Sequence, residues 1–466
     1  MHSRKIAILL GIALVILLYT GVTNLLRTNA DGVPSVAELT SFDEDSFLPP
    51  EPPSTAISLF QERLQIAPLS ATNYAILGQQ YLRQARESGD VADYGRAEAA
   101  LRRSLQLLPR YAPARTSLAA ALYAQHNFVE SLQLSRSVYQ EDPENLAALA
   151  TLGDSQLALG RYAEAESTYE TLLGRSPSPP VLVRLAGLEE LKGNTREAQR
   201  LLSRATAQVL ESQQSRSEAA WYLVRLGESY FGPSQLEEVA KLYQAALRLQ
   251  PDSYLALAGL GQVRAAQGQY PEAIRHYQRS VVLRPDPAHL SELGDLYAKT
   301  GQMEQAEIQY DAVESIAQPS SQNRGVHNRE LALFYADHDR RLDRALELAQ
   351  QDLRLRQDIH GYDTLAWALF KKGRLTEAVQ AIAEAMKLGT SEASIYYHAG
   401  LIHHGLGETQ QARAYLVRAL EINPHFSQLQ ADQARRLLAE LDHKLAASAA
   451  AHVRRLPQVV TSEESW

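Results

Sequence analysis

Prolines punctuate this chain at a fixed interval, and that interval limits what it can fold into. Pro68, Pro109, Pro143, Pro177, Pro251, Pro285, Pro319 and Pro424 each stand at or near the end of a helix-favouring stretch. The steps from 109 to 143 to 177, and from 251 to 285 to 319, are all 34 residues. Self-similarity at such a period marks a stack of like units rather than one closed globule. Ten residues after several of these prolines comes a small residue preceded by Leu, as in Leu77-Gly78, Leu118-Ala119, Leu152-Gly153 and Leu260-Gly261. A second small residue follows in Ala97, Ser131, Ala165, Ala273, Ala306, Ala378 and Ala412. Four positions later stands a larger one: Tyr169, Tyr243, Tyr277, Tyr310 or Leu416.

Each position has a physical reason. A small residue at the first site lets two antiparallel helices approach closely. Ala at the second lets the second helix pack on the next unit, and the aromatic ring or Leu fills the wedge between helices. Pro stops the second helix because it cannot continue the hydrogen-bond ladder. Gly160, Gly193, Gly268, Gly301, Gly373 and Gly407 fall at the tight turn between paired helices, where a left-handed backbone is required. Each pair then exposes an apolar face that only its neighbour covers.

This pattern resembles the tetratricopeptide repeat. Gly227-x-x-Tyr230 and Gly294-x-x-Tyr297 match its first helix, while Tyr162-Ala163-Glu164-Ala165 and Tyr270-Pro271-Glu272-Ala273 match the start of its second. The resemblance spans about residues 55–425 and implies an all-α, right-handed superhelical solenoid of antiparallel helix pairs. Composition agrees. Ala and Leu dominate, only 7% of residues are aromatic, and few stretches alternate as strands do.

Counting units gives a half repeat over Ala56–Ile66 and then ten repeats, with extra residues around Ser88-Gly89-Asp90 and at Glu211–Glu218. The repeat containing Ala345 lacks its turn Gly and closing Pro. A polar-faced helix over 426–448 suits a terminal cap, and residues 449–466 read as a disordered tail.

The N-terminus reads differently. Ile6 to Leu26 carries no charge, and 21 residues at about 1.5 Å each reach about 31 Å, enough to cross a bilayer core. With Arg4 and Lys5 before it and acidic residues after, the expectation is a single transmembrane helix in an anchor over 1–27. The N-terminus would be cytoplasmic and the solenoid extracytoplasmic, and in style, though by no motif, the chain resembles a membrane-anchored bacterial type of the family. A cleaved signal peptide is the competing reading, with Thr28-Asn29-Ala30 offering small residues for the cut. Residues 28–54, acidic and ending in Pro49-Pro50-Glu51-Pro52-Pro53, read as an extended linker.

Several functions are excluded by residue type. A formal charge of −8 argues against nucleic acid as a partner. The absence of cysteine removes disulfides, thiol nucleophiles and Cys-ligated metal. No phosphate-cradling loop, nucleophile elbow or His-Glu-x-x-His is present, so neither an enzyme nor a resident cofactor is expected.

The resemblance implies that the first helix of each pair lines a concave groove holding a partner protein or peptide. Carried across, the groove offers small residues early, then Trp221, Glu228, Phe231, Asp295 and Lys299 in the middle. It ends in His360, Asp363, Trp367, Phe370, Lys371, Tyr397 and His404. Aromatics beside charges are typical of binding hot spots, which makes the last set the richest. His398 and His403 fall about 140° apart on one helix and do not converge. His360, Asp363 and His404 are the weak candidates for a metal across the groove. The principal expectation is a non-catalytic interaction scaffold. The alternative is an accessory factor binding a small ligand or transition metal for an envelope transporter or biogenesis machine.

Overall fold

A computed structural model of the chain describes residues 33–47, 53–88, 90–232, 234–316 and 327–454. Among these residues there are 23 α-helices and one 3₁₀ turn, Glu44–Ser46, and no strand. The helices form two compact units. One holds residues up to Arg284 apart from 158–160 and 232–234, which group with Pro285–Trp466 in the other.

The first unit opens with a short helix, α1 (Val36–Leu39), and the unpaired α2 (Pro53–Ile66). Six pairs follow: α3 (Ala71–Ser88) with α4 (Val91–Leu107), α5 (Ala112–Ala124) with α6 (Phe128–Glu141), α7 (Leu146–Ala158) with α8 (Tyr162–Arg175), α9 (Pro179–Leu191) with α10 (Thr195–Ser212), α11 (Arg216–Tyr230) with α12 (Leu236–Leu249), and α13 (Tyr254–Ala266) with α14 (Tyr270–Leu283). The second unit holds four: α15 (Pro287–Lys299) with α16 (Met303–Ile316), α17 (Asn328–Asp337) with α18 (Leu342–Leu355), α19 (Ile359–Lys371) with α20 (Leu375–Ala385), and α21 (Ala393–Gly405) with α22 (Thr409–Ile422). It closes with α23 (Gln430–Arg454).

The punctuation acts as its chemistry requires. Leu107, Glu141, Arg175, Leu249, Leu283 and Ile422 end their helices two residues before a proline. Gly193, Gly268, Gly301, Gly373 and Gly407 all take positive φ at the turn within a pair. In α17/α18, where that Gly is missing, Asp339 adopts φ 54° instead, a conformation Asp tolerates better than most residues.

Packing within pairs rests on small residues meeting large ones. Ala97, Ser131, Ala165, Ala273, Ala306, Ala378 and Ala412 are fully buried. The Tyr243 ring of α12 lies between Gly227 of α11 and Gly259 of α13. A Cβ on either glycine would come within 2.6 Å or 2.5 Å of that ring. Leu101 and Leu122 anchor a core shared by α3, α4 and α5, and truncating either to Ala would cost about 2–5 kcal/mol.

Two expectations for the N-terminus change. The anchor expected over 1–27, with its apolar run Ile6 to Leu26, lies outside the described residues. Among those described, no helix is long and apolar enough to cross a membrane. Even α23, the longest, carries Asp432, Arg435, Arg436, Glu440, Asp442 and Lys444 along its length. Contrary to expectation, the described residues thus give no transmembrane helix, and the extracytoplasmic placement derived from one loses its basis. Residues 33–47, expected as part of an extended spacer, fold into α1 and the 3₁₀ turn, and α1 packs on α10 and α12. At the other end α23 runs to Arg454, and residues 455–466 lie outside the described residues.

Candidate functional site

First helices touch one another within each unit, α11 with α13 and, in the second unit, α15 with α17, α17 with α19 and α19 with α21. Their facing side chains form a polar ladder. In the first unit Arg184 of α9 holds Asp154 of α7 through Nε at 2.8 Å and Nη2 at 2.9 Å, while the Tyr169 hydroxyl donates to the same carboxylate at 2.8 Å. Arg225 of α11 bridges back to Glu190 of α9 at 3.0 Å and along its own helix to Glu228 at 2.5 Å. Trp221, one turn before Arg225, is 41% exposed, with Tyr222 edge-on beside it at 5.1 Å. Phe231, half-buried, ends this helix.

In the second unit the ladder is denser. The Tyr310 hydroxyl donates to Asp295 Oδ1 at 2.8 Å, and His338 Nε2 approaches the same oxygen at 2.7 Å. The Trp367 indole N–H donates to Asp337 Oδ1 at 2.7 Å, bridging α19 to α17. His398 Nδ1 lies 2.8 Å from Asp363 Oδ1, bridging α21 to α19. The His398 ring also stacks on Trp367 at 4.2 Å.

Trp367 and Tyr397 were expected as exposed anchors, but they are 2% and 1% exposed. Trp367 lies between Phe370 at 5.2 Å and His398, with the Lys371 ammonium 4.9 Å above the ring. Lys371 also donates to Asp339 at 2.9 Å. Tyr397 is covered by the segment leading into α23. Its hydroxyl donates to Gln433 Oε1 at 2.7 Å, and its ring meets Phe426 at 5.4 Å. Gln430 donates to Asp337 at 2.6 Å, and Lys299 donates to the Gln428 carbonyl at 2.8 Å and to Asp432 at 2.9 Å. Residues 426–433 thus reach three first helices, α15, α17 and α21.

The three weak metal candidates do not assemble. His360 Nε2 is 2.7 Å from Glu392, Asp363 is engaged by His398, and His404 is exposed. Among the described residues no group of three His, Cys, Asp or Glu could hold a metal ion.

The electrostatics of this face are unusual. Burial together with Asp295 and Asp337 pushes the half-buried Glu292 carboxyl up to about 8. Asp337 keeps part of its surface open to water, yet the surrounding protein raises its carboxyl as well. Desolvation pulls the His338 and His360 rings down, but the carboxylates of Asp295 and Glu392 outweigh it and raise both. Asp339 stands where the turn Gly would, and the missing turn Gly and closing Pro were the signals in the sequence that this repeat departs from the others.

Models of the tetratricopeptide repeat match residues 122–181, 224–289, 265–321 and 393–426. Tetratricopeptide repeats are present in this chain. The repeats align with the human protein O-mannosyl-transferase TMTC1 at 27% identity over 211 residues, covering 43% of this chain and 23% of that protein. They align with the cellulose synthase 1 operon protein C of Komagataeibacter xylinus at 29% identity over 165 residues, covering 33% and 12%. The chain therefore spans less than a quarter of either relative. Similar solved structures include the APC/C hetero-tetramer Cut9-Hcn1, with 14% identity, coverage of 83% and 92%, and a TM-score of 0.32. The human IFIT1 dimer with PPP-AAAA gives 17% identity, coverage of 68% and 73%, and a TM-score of 0.44. Repeats of this kind point to a protein-interaction scaffold.

Proposed function

We propose that this chain is a non-catalytic scaffold that holds a protein or peptide partner along the face of its first helices. The reading rests most on α11, where Trp221, Arg225 and Glu228 follow one another at helical spacing and Trp221 keeps 41% of its surface exposed. Trp and Arg dominate the energetics of binding interfaces, and an exposed Trp flanked by a fixed ion pair offers both an apolar anchor and orientation. Phe231 caps the C-terminal end of the same helix. Within the second unit the corresponding first-helix residues are His360, Phe370, Lys371 and His404, backed by Asp363 and Trp367, with Tyr397 covered by Phe426 and Gln433.

Photo-cross-linking tests this. A benzoylphenylalanine at position 221 should capture a discrete partner, whereas the same group at position 129, exposed on the second helix α6, should not. Trp221→Ala should weaken the captured complex by roughly tenfold or more. Equal capture from both positions, or none from 221, would refute binding along the first helices.

A further inference from the structure

Residues 33–47 contain four acidic residues and no basic one, a composition with little reason to order itself. They are nonetheless ordered against helices far along the chain. Ser35 caps α1, its hydroxyl accepting from the Glu38 amide at 3.3 Å while its own amide donates to the Glu38 carboxylate at 2.7 Å. Leu39 and Phe47 are 3% and 4% exposed. Between them Arg248, at the end of α12, holds three different features. It donates to the Glu44 carboxylate at 2.7 Å and to the Thr40 carbonyl at 2.7 Å, and its guanidinium lies 4.9 Å over the Phe42 ring. Arg216, at the start of α11, donates to the Glu44 carbonyl at 2.8 Å and lies 3.8 Å from Asp45.

Two buried apolar anchors bracket an acidic turn, and two arginines read that turn through its backbone, its charge and its ring. α10 and α12 are second helices, and the site's one first-helix residue, Arg216, opens α11 about 140° around the helix from Trp221, so this face differs from the one proposed above to hold a partner. We propose that the α10–α12 face with Arg216 and Arg248 is a docking site for short acidic segments bearing two apolar anchors, and that residues 35–47 are its ligand in cis. The charge complementarity and the two-anchor spacing define the occupant. Thirteen residues held by two anchors and solvent-reachable arginines form a modest interface, so covalent attachment, which sets a high local concentration, keeps the site filled. Emptied of its own segment, the site takes the same segment in trans.

The full-length chain carrying Leu39→Ala and Phe47→Ala empties the site, and the probe is a fluorescein-labelled peptide of residues 33–47. Anisotropy should show saturable binding to the emptied chain, at least roughly tenfold tighter than to wild type, where the resident segment competes. Added salt should weaken it, and Arg248→Glu in the emptied chain should abolish it. No binding up to about 1 mM peptide, or equal binding to wild type and emptied chain, overturns the proposal. Hydrogen exchange supplies a second measurement on otherwise unaltered protein. Arg248→Glu alone should speed exchange over residues 36–47 and leave α5 and α6 unchanged, whereas an unprotected 36–47 in wild type would count against the site.

Discussion

His338 places Nε2 2.7 Å from Asp295 Oδ1 and Nδ1 2.8 Å from the Phe334 carbonyl oxygen. A carbonyl only accepts, so Nδ1 carries a proton, and an imidazolium satisfies both partners at once. Burial opposes that charge, but Asp295 outweighs it and the ring titrates above its ordinary 6.5. A group whose pKa rises on folding stabilises fully below its unfolded value and loses that contribution as pH climbs through the folded one. Glu292, ordinarily near 4.5 and here pushed up to about 8, acts in the same direction between those values. His425, whose ring burial pulls down, opposes them only as pH falls below 6.5. The second unit should therefore melt at a lower temperature at pH 8 than at pH 6, and Glu292→Gln should narrow the gap. A melting temperature that rises toward pH 8 would contradict this account.

Two tyrosines in equivalent positions should respond oppositely to loss of the hydroxyl. Tyr169 donates to Asp154, so Tyr169→Phe should cost about 1–3 kcal/mol by leaving a charged acceptor short of a donor. The buried Tyr243 hydroxyl meets no hydrogen-bond partner among the described residues, so Tyr243→Phe should be neutral or stabilising. Urea denaturation of both variants checks the contrast.

Helix glycines also divide by what stands beside them. Ala at Gly227 would put its Cβ 2.6 Å from the Tyr243 ring, a clash that should cost about 1–3 kcal/mol despite better helix propensity. Gly187 in α9 has nothing within 4 Å, so Gly187→Ala should stabilise by up to about 1 kcal/mol. Calorimetric melting of the pair distinguishes packing from propensity.

Residues 426–433 should loosen when their tether is cut. Lys299→Ala removes the donor to Gln428 and Asp432, and hydrogen exchange over 426–433 should accelerate while the core of α19, α20 and α21 stays protected. Unchanged exchange there would mean that Tyr397 and Phe426 hold the segment without Lys299.

The periodic part of this molecule was legible because its signals are local. Gly193 and Gly268 mark turns, and Ala165 and Tyr169 mark packing, each within one repeat. The arrangement around Trp367 was not, because an aromatic looks the same in sequence whether it faces water or a neighbour. Here the neighbours are Asp337 from the preceding pair and His398 from the next. Tyr397 is covered by Phe426 and Gln433 from a segment that no repeat position predicts. The docking of residues 33–47 was invisible for the same reason. Acidic, proline-flanked composition signals disorder, and the arginines that overcome it lie in α11 and α12.

That docking also imposes an order on the birth of the protein. Glu44 and Arg248 are separated by 204 residues. At a synthesis rate of roughly 5–20 residues per second, the acidic segment is made about 10–40 seconds before Arg248. For most of that interval, until α10 and Arg216 follow, the earlier repeats can close on their neighbours while residues 33–47 have none of their partners. The first opportunity for another molecule to meet this segment comes during translation, before the mature protein has covered it.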